Sequence, residues 1–195
     1  MSNYAPEYLN VLNAYPENFA RFITRIPGIE TTTDRAAVIS ALTPAHEAEL
    51  SAVGIDPKML RRAQQVHGNK VALVGDIGCS YPVEGVDALF CGGKAGTLQN
   101  IVGETLKSMY KVLGVHAADC IAVISPCIRP PHYEVDIVTM IKQQLEEAGI
   151  AAENITDCGL DTAADLDTFY SYRIEKGNTG RMLALFGRMP SSCEE

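Results

Sequence analysis

The sequence predicts an α+β fold in a single domain, on three observations. The chain has 195 residues, 47% hydrophobic and 21% charged, which is enough apolar material for a buried core. Apolar residues recur at helical spacing in some stretches and in short strand-like runs in others. Turn signals built on Gly, Pro and Asn separate these stretches, with no repeat, low-complexity tract or linker to split the chain. Residues 1–195 therefore read as one domain, with weakly ordered ends at 1–18 and 187–195.

The elements follow in order. Residues 21–26 form a strand stopped by Pro27 and Gly28. Residues 44–53 form a helix with Pro44 in its first turn, where a missing N–H costs nothing, and Gly54 just past its end. Residues 60–66 and 71–74 are two strands around the tight connection His67, Gly68, Asn69 and Lys70, a hairpin pattern. Residues 98–113 make the clearest helix. Leu98, Ile101, Val102, Leu106, Met109, Val112 and Leu113 share one face, Thr97 suits the N-cap and Gly114 the C′ position. Residues 121–125 are a short strand closed by Pro126. Residues 137–148 are an amphipathic helix followed by Gly149. Residues 169–174 and 181–186 read as strands joined by a turn at 175–178, which would set Arg173 and Arg181 at facing positions.

The net charge of −8 argues against a nucleic-acid partner, which calls for a basic face. No apolar run approaches the roughly 18 residues of a membrane span. The first residues lack the basic start and apolar stretch of a signal peptide, so the expected compartment is the cytoplasm. Six cysteines, Cys79, Cys91, Cys120, Cys127, Cys158 and Cys193, form no CxxC pair. They read mainly as small buried apolar residues.

Several segments can carry chemistry. His67 sits at a hairpin mouth and suits metal ligation or proton transfer, or is an exposed turn residue. The segment Cys91, Gly92, Gly93, Lys94, Ala95, Gly96 and Thr97 runs into the best helix. Its glycines let backbone N–H groups approach a ligand, and the helix N-terminus and Lys94 add positive charge, which suits phosphate. It lacks P-loop spacing, and a plain loop before a helix is the simpler alternative. Cys91 near that terminus can become a thiolate. His116, Asp119 and Cys120 fall close together, which suggests a metal without specifying one. The Pro-rich stretch 125–134 is stiff enough for a binding rim or a plain connection. Arg173 and Arg181 offer forks for phosphate or carboxylate, or surface ion pairs.

Together these segments are more specific. The order is Gln-Val-His-Gly at 65–68, Val-Asp-Ala-Leu at 86–89, Gly-x-x-Gly-Thr at 93–97 and Ser-Pro-Cys-Ile at 125–128. Tyr-Glu-Val-Asp follows at 133–136, then Tyr-Ser-Tyr-Arg at 170–173 and Thr-Gly-Arg-Met at 179–182. This order resembles the laccase-domain family, also described as multicopper polyphenol oxidoreductase or polyphenol oxidase. The resemblance implies a four-layer α/β/β/α sandwich and zinc-dependent purine nucleoside phosphorolysis and adenosine deamination. It implies a metal site with His67 as one ligand. Cys91 falls where the family has its second metal His, and cysteine is itself a good zinc ligand. The Ala-Asp-Cys triplet ending at Cys120 reproduces the remaining ligand motif, but after the helix instead of before it. Between 89 and 93 the chain is shorter than the family pattern, which implies missing strands.

The resemblance then gives His67 and Cys91 catalytic roles, with Cys120 a third metal ligand. Gly93, Lys94, Gly96, Thr97, Arg173 and Arg25 would hold nucleoside and phosphate. A catalytically impaired remnant acting as a binding or oligomerising module is the alternative, and a homo-oligomer is an expected assembly. A copper-dependent phenol oxidase is the weakest reading, because the chain has only four histidines.

Overall fold

A computed structural model of the protein describes residues 6–63, 70, 71, 84 and 100–188. The described elements are α1 (Asn10–Asn13), β1 (Asn18–Ile23), α2 (Arg35–Ala52), α3 (Ile101–Leu113), β2 (Ala122–Ile124), α4 (Ile137–Glu147), β3 (Ile155–Asp157) and β4 (Leu183–Arg188). This is α+β. β1 pairs with β4 and β2 with β3, as two two-stranded sheets among the described residues. Among those residues no helix is long and apolar enough to cross a membrane.

The chain divides into two compact units. Unit 1 takes Met1–Met59, Ser125–His132 and Asp157–Glu195, and unit 2 takes Leu60–Ile124 and Tyr133–Thr156.

In unit 1, β1 and β4 are antiparallel, with Asn18 opposite Arg188 and Ile23 opposite Leu183. Residues 7–13 are helical and 187–188 lie in a strand. Pairing between distant segments is what sequence periodicity cannot register. The other edge of β1 is also held. The Asn13 side chain accepts the Ala20 N–H at 2.7 Å and donates to the Ala20 carbonyl at 3.2 Å, satisfying both backbone groups of an edge residue. Phe19 lies opposite Gly187, and a Cβ on that glycine would come within 2.4 Å of the ring.

α2 begins at Asp34, whose carboxylate accepts from the N–H groups of Ala36 at 2.8 Å and Ala37 at 3.3 Å. Its buried stripe is Val38, Leu42, His46 and Leu50, each four residues after the last. The helix therefore runs through Pro44 instead of starting there. The apolar stripe outweighs the lost N–H and the ring clash, which together cost about 3 kcal/mol in a helix interior. Gly54, at φ 78°, closes it, and the Ile55 N–H reaches back to Leu50 O at 3.0 Å. Val38 and Leu42 pack with Tyr170, flanked by Ile26, Ile29 and Met182.

In unit 2, α3 starts at Ile101. Its cap is Asn100, not Thr97: the Asn100 side chain accepts the Gly103 N–H at 3.0 Å from a left-handed backbone, φ 54°. Gly114, at φ 70°, ends the helix as expected. Its apolar face is only partly covered, since Val112 and Leu113 are more than half exposed. α4 is capped by Asp136 and ends at Ala148, followed by Gly149 at φ 103°.

The predicted hairpin over 169–186 does not form. Residues 172–177 coil into successive turns, with the Glu175 N–H on Ser171 O and the Gly177 N–H on Tyr172 O, both at 2.9 Å. Lys176 (φ 52°) and Gly177 (φ 84°) adopt left-handed backbone. β4 starts only at Leu183 and finds its partner in β1. The strand expected at 60–66 is also absent from its described part: residues 60–62 are irregular, and Ala63 makes an isolated bridge.

Candidate functional site

Two polar clusters stand out in unit 1, and the run 157–181 supplies carboxylates to both. The first is built around Arg25, two residues past β1. Its guanidinium lies over the Tyr170 ring, 4.3 Å from the centroid. It donates to Phe169 O at 3.0 Å and forms an ion pair with Glu175 at 2.8 Å. The other Glu175 oxygen accepts from the Ser171 N–H and the Thr179 hydroxyl. Burial alone would raise the Glu175 carboxyl. The Thr179 hydroxyl, Arg25 and the Ser171 N–H together outweigh it and hold the carboxyl below its ordinary value.

This network explains the motif at 170–182. Tyr170 is buried, its hydroxyl meeting the Ile26 N–H at 3.2 Å and the Ile26 carbonyl at 3.3 Å. A Cβ on Gly180 would fall 2.3–2.6 Å from that ring, so only glycine fits there. The knot leaves Tyr172 68% exposed, with Arg173 exposed beside it. Arg181 does not face Arg173 across a hairpin. Its guanidinium donates to Gly180 O at 2.8 Å and lies 5.8 Å from the Tyr172 ring centroid.

The second cluster joins the loop 125–132 to 157–163. Cys127 makes a parallel bridge with Asp161, its N–H on Leu160 O and its carbonyl accepting the Thr162 N–H at 3.1 Å. Arg129 forms a two-pronged ion pair with Asp157 and also donates to Leu160 O at 3.0 Å. Asp161 accepts the N–H groups of Ala163 at 2.9 Å and Arg129 at 3.3 Å on one oxygen. The other oxygen meets His132 Nδ1 at 2.7 Å. Burial opposes ionisation of Asp161, but the Ala163 N–H, His132 and the Arg129 N–H prevail and hold its carboxyl below the ordinary range.

Among the described residues, the thiols of Cys120, Cys127 and Cys158 are all pushed above their ordinary value. Burial pushes Cys127 up to about 11, against the opposing pull of Arg129. Burial also raises Cys158, and burial with Asp119 raises Cys120. All three are free and half-buried, less enclosed than core residues.

Of the residues singled out in the sequence, Arg25 and Arg173 belong to the first cluster or its rim. Cys120 lies in unit 2 at the end of a short 3₁₀ turn, its Sγ 3.5 Å from the His116 carbonyl. His67, Cys91, Gly93, Lys94, Gly96 and Thr97 lie outside the described residues. Among the described residues no three His, Cys, Asp or Glu side chains gather as a metal site, so those residues do not fit a metal by themselves. Sequence reasoning missed Glu175 and Asp161. Their signal is weak: an acidic residue four positions after a serine or near a Thr-Ala-Ala run does not declare its partners.

Comparison with known proteins places the chain in a family. The profile of the family described as multi-copper polyphenol oxidoreductase laccase matches residues 91–137 and 132–189, more than half of the chain. The chain belongs to that family, one associated with metal. It is similar to a purine nucleoside phosphorylase of Staphylococcus epidermidis, 57% identical over 44 residues, covering 23% of this chain and 17% of that protein. It is also similar to purine nucleoside phosphorylase YlmD of Bacillus subtilis, 26% identical over 135 residues, covering 54% of this chain and 49% of that protein. The chain thus spans about half the length, or less, of these curated relatives. Two solved structures share the fold. The hypothetical protein YfiH of Bacillus licheniformis superposes with a TM-score of 0.75 at 17% identity, covering 89% of this chain and 93% of that one. YlmD of Geobacillus stearothermophilus gives 0.74 at 19%, covering 90% and 93%.

Proposed function

We propose that this protein is a purine nucleoside phosphorylase that cleaves inosine, adenosine or a related nucleoside with orthophosphate, and that also deaminates adenosine. The observation that carries the reading is the 44-residue stretch at 57% identity to a protein named for that activity. The Arg25 cluster is compatible with it. Arg25 is bound to Glu175 and positions the 170–181 knot. Arg173, at the exposed rim, suits a phosphate or a ribose hydroxyl. Tyr172, largely exposed, offers aromatic surface of the kind on which a purine stacks.

The reading includes zinc held by His67, Cys91 and Cys120, which when bound would supply a Lewis acid. A second reading, a remnant that binds or oligomerises without turnover, draws on the shortening of the chain between 89 and 93 against the family pattern. Zinc per chain in purified, untagged protein, followed by inosine phosphorolysis, separates the two. About one zinc per chain with phosphate-dependent release of hypoxanthine is the expected result. A folded protein with no zinc and no turnover would establish the remnant instead.

A further inference from the structure

The His132–Asp161 pair has no part in the proposal above. Asp161 is fixed by two backbone N–H groups on one oxygen and by His132 on the other. An ionised carboxylate only accepts hydrogen bonds, so Nδ1 of His132 must carry the proton. That fixes the tautomer and leaves Nε2 as the working nitrogen. The His132 side chain is 39% exposed against 14% for Asp161, so the imidazole is reachable and its anchor is shielded. The charged neighbours are compensated: Arg129 is paired with Asp157, and the Cys127 thiol is neutral at physiological pH. A carboxylate-oriented imidazole that is itself partly exposed is an arrangement suited to a general acid–base, unlike a fully buried structural histidine.

Resting on the phosphorolysis reading, we infer that His132 is the proton carrier of the reaction and Asp161 its positioning residue. As the phosphate oxygen bonds to the anomeric carbon, the C1′–N9 bond breaks and its electron pair passes to the purine. Protonated His132 gives the Nε2 proton to N7 of the departing base. The same nitrogen then recovers a proton from the hydroxyl of hydrogen phosphate by way of water. The net result is one proton moved from hydrogen phosphate to purine, with no other reactant needed. The loop 125–132 and the run 157–181, which also carries the exposed Tyr172 and Arg173, both belong to unit 1.

The test compares inosine with 7-methylinosine, whose ring is already cationic and leaves without a proton. In His132→Ala the ratio of inosine to 7-methylinosine kcat should fall ~10²–10⁴-fold, the range for losing a general acid. Added imidazole should restore part of the inosine rate. Asp161→Asn should lower the same ratio by roughly 10–100-fold, as loss of an orienting partner does. An equal loss on both substrates, or an unchanged inosine rate, overturns the inference while phosphorolysis by the wild-type chain stands. A folded wild-type chain that turns over neither nucleoside overturns the phosphorolysis reading, and this inference with it.

Discussion

Gly180 shows how a single residue specifies the first cluster. Its missing Cβ is the space occupied by the Tyr170 ring, which is itself tied to Ile26 and covered by Arg25. Gly180→Ala should lower unfolding free energy by about 1–3 kcal/mol, the usual cost of overpacking, as read by urea denaturation. Glu175 is the electrostatic counterpart. Its carboxyl is held below the ordinary 4.5, so its contribution is complete above that pH and is lost as pH falls through the lower folded value. Asp161 adds the same sign below 3.8. Stability should therefore drop on acidification below about 4.5, and Glu175→Gln should flatten the upper part of that loss. An acid-unfolding curve identical to wild type would show that the Arg25 pairing contributes nothing. The Thr-Gly-Arg-Met motif and Arg25 were legible in the sequence as residues of note. Their geometry was not, because Arg25 and Glu175 lie far apart in the chain and ion pairing leaves no periodic trace.

Elements were legible where local chemistry and burial agree. α4 and the C-terminal end of α3 appear where caps and apolar spacing place them. The disagreements arise where tertiary contacts override a local signal. Pro44 reads as a helix start, yet it sits inside α2 because Val38 and Leu42 need a continuous helix to reach Tyr170. Pro44 is exposed, so its ring is not needed for packing. Pro44→Ala should restore the missing N–H and remove the clash, raising stability by about 1–3 kcal/mol in thermal or urea unfolding. No gain would mean that the helix has already relaxed around the proline. The segment 169–174 has strand-like composition but coils because Glu175 reaches back to the Ser171 N–H and forward to Thr179. At the start of α3, Asn100→Ala should cost about 1 kcal/mol or more, since it removes the cap and forces Ala into left-handed backbone. Asn100→Gly should cost only a few tenths.

At the scale of the whole molecule, the mixed composition and the order of motifs were enough to indicate both the α+β class and the family. Each motif is short, but their sequence along the chain is not easily reproduced by chance. Identity to the solved relatives is only 17–19%, while the fold superposes over about nine-tenths of the chain. Packing patterns tolerate substitutions that a site does not. A shared fold therefore leaves activity to be judged by ligand linkage. A phosphorylase must bind two substrates in its native state, and each should stabilise that state by mass action. Orthophosphate or inosine at 100 times its dissociation constant should add about 2.7 kcal/mol to the unfolding free energy, measured as a rise in Tm. Sulfate at the same ionic strength controls for the general salting effect of the anion. If the chain is a remnant without the substrate site, inosine leaves Tm unchanged and phosphate matches sulfate. The distinction does not depend on turnover, so it separates a chain that binds its substrates but has lost catalysis from one that has lost the site altogether.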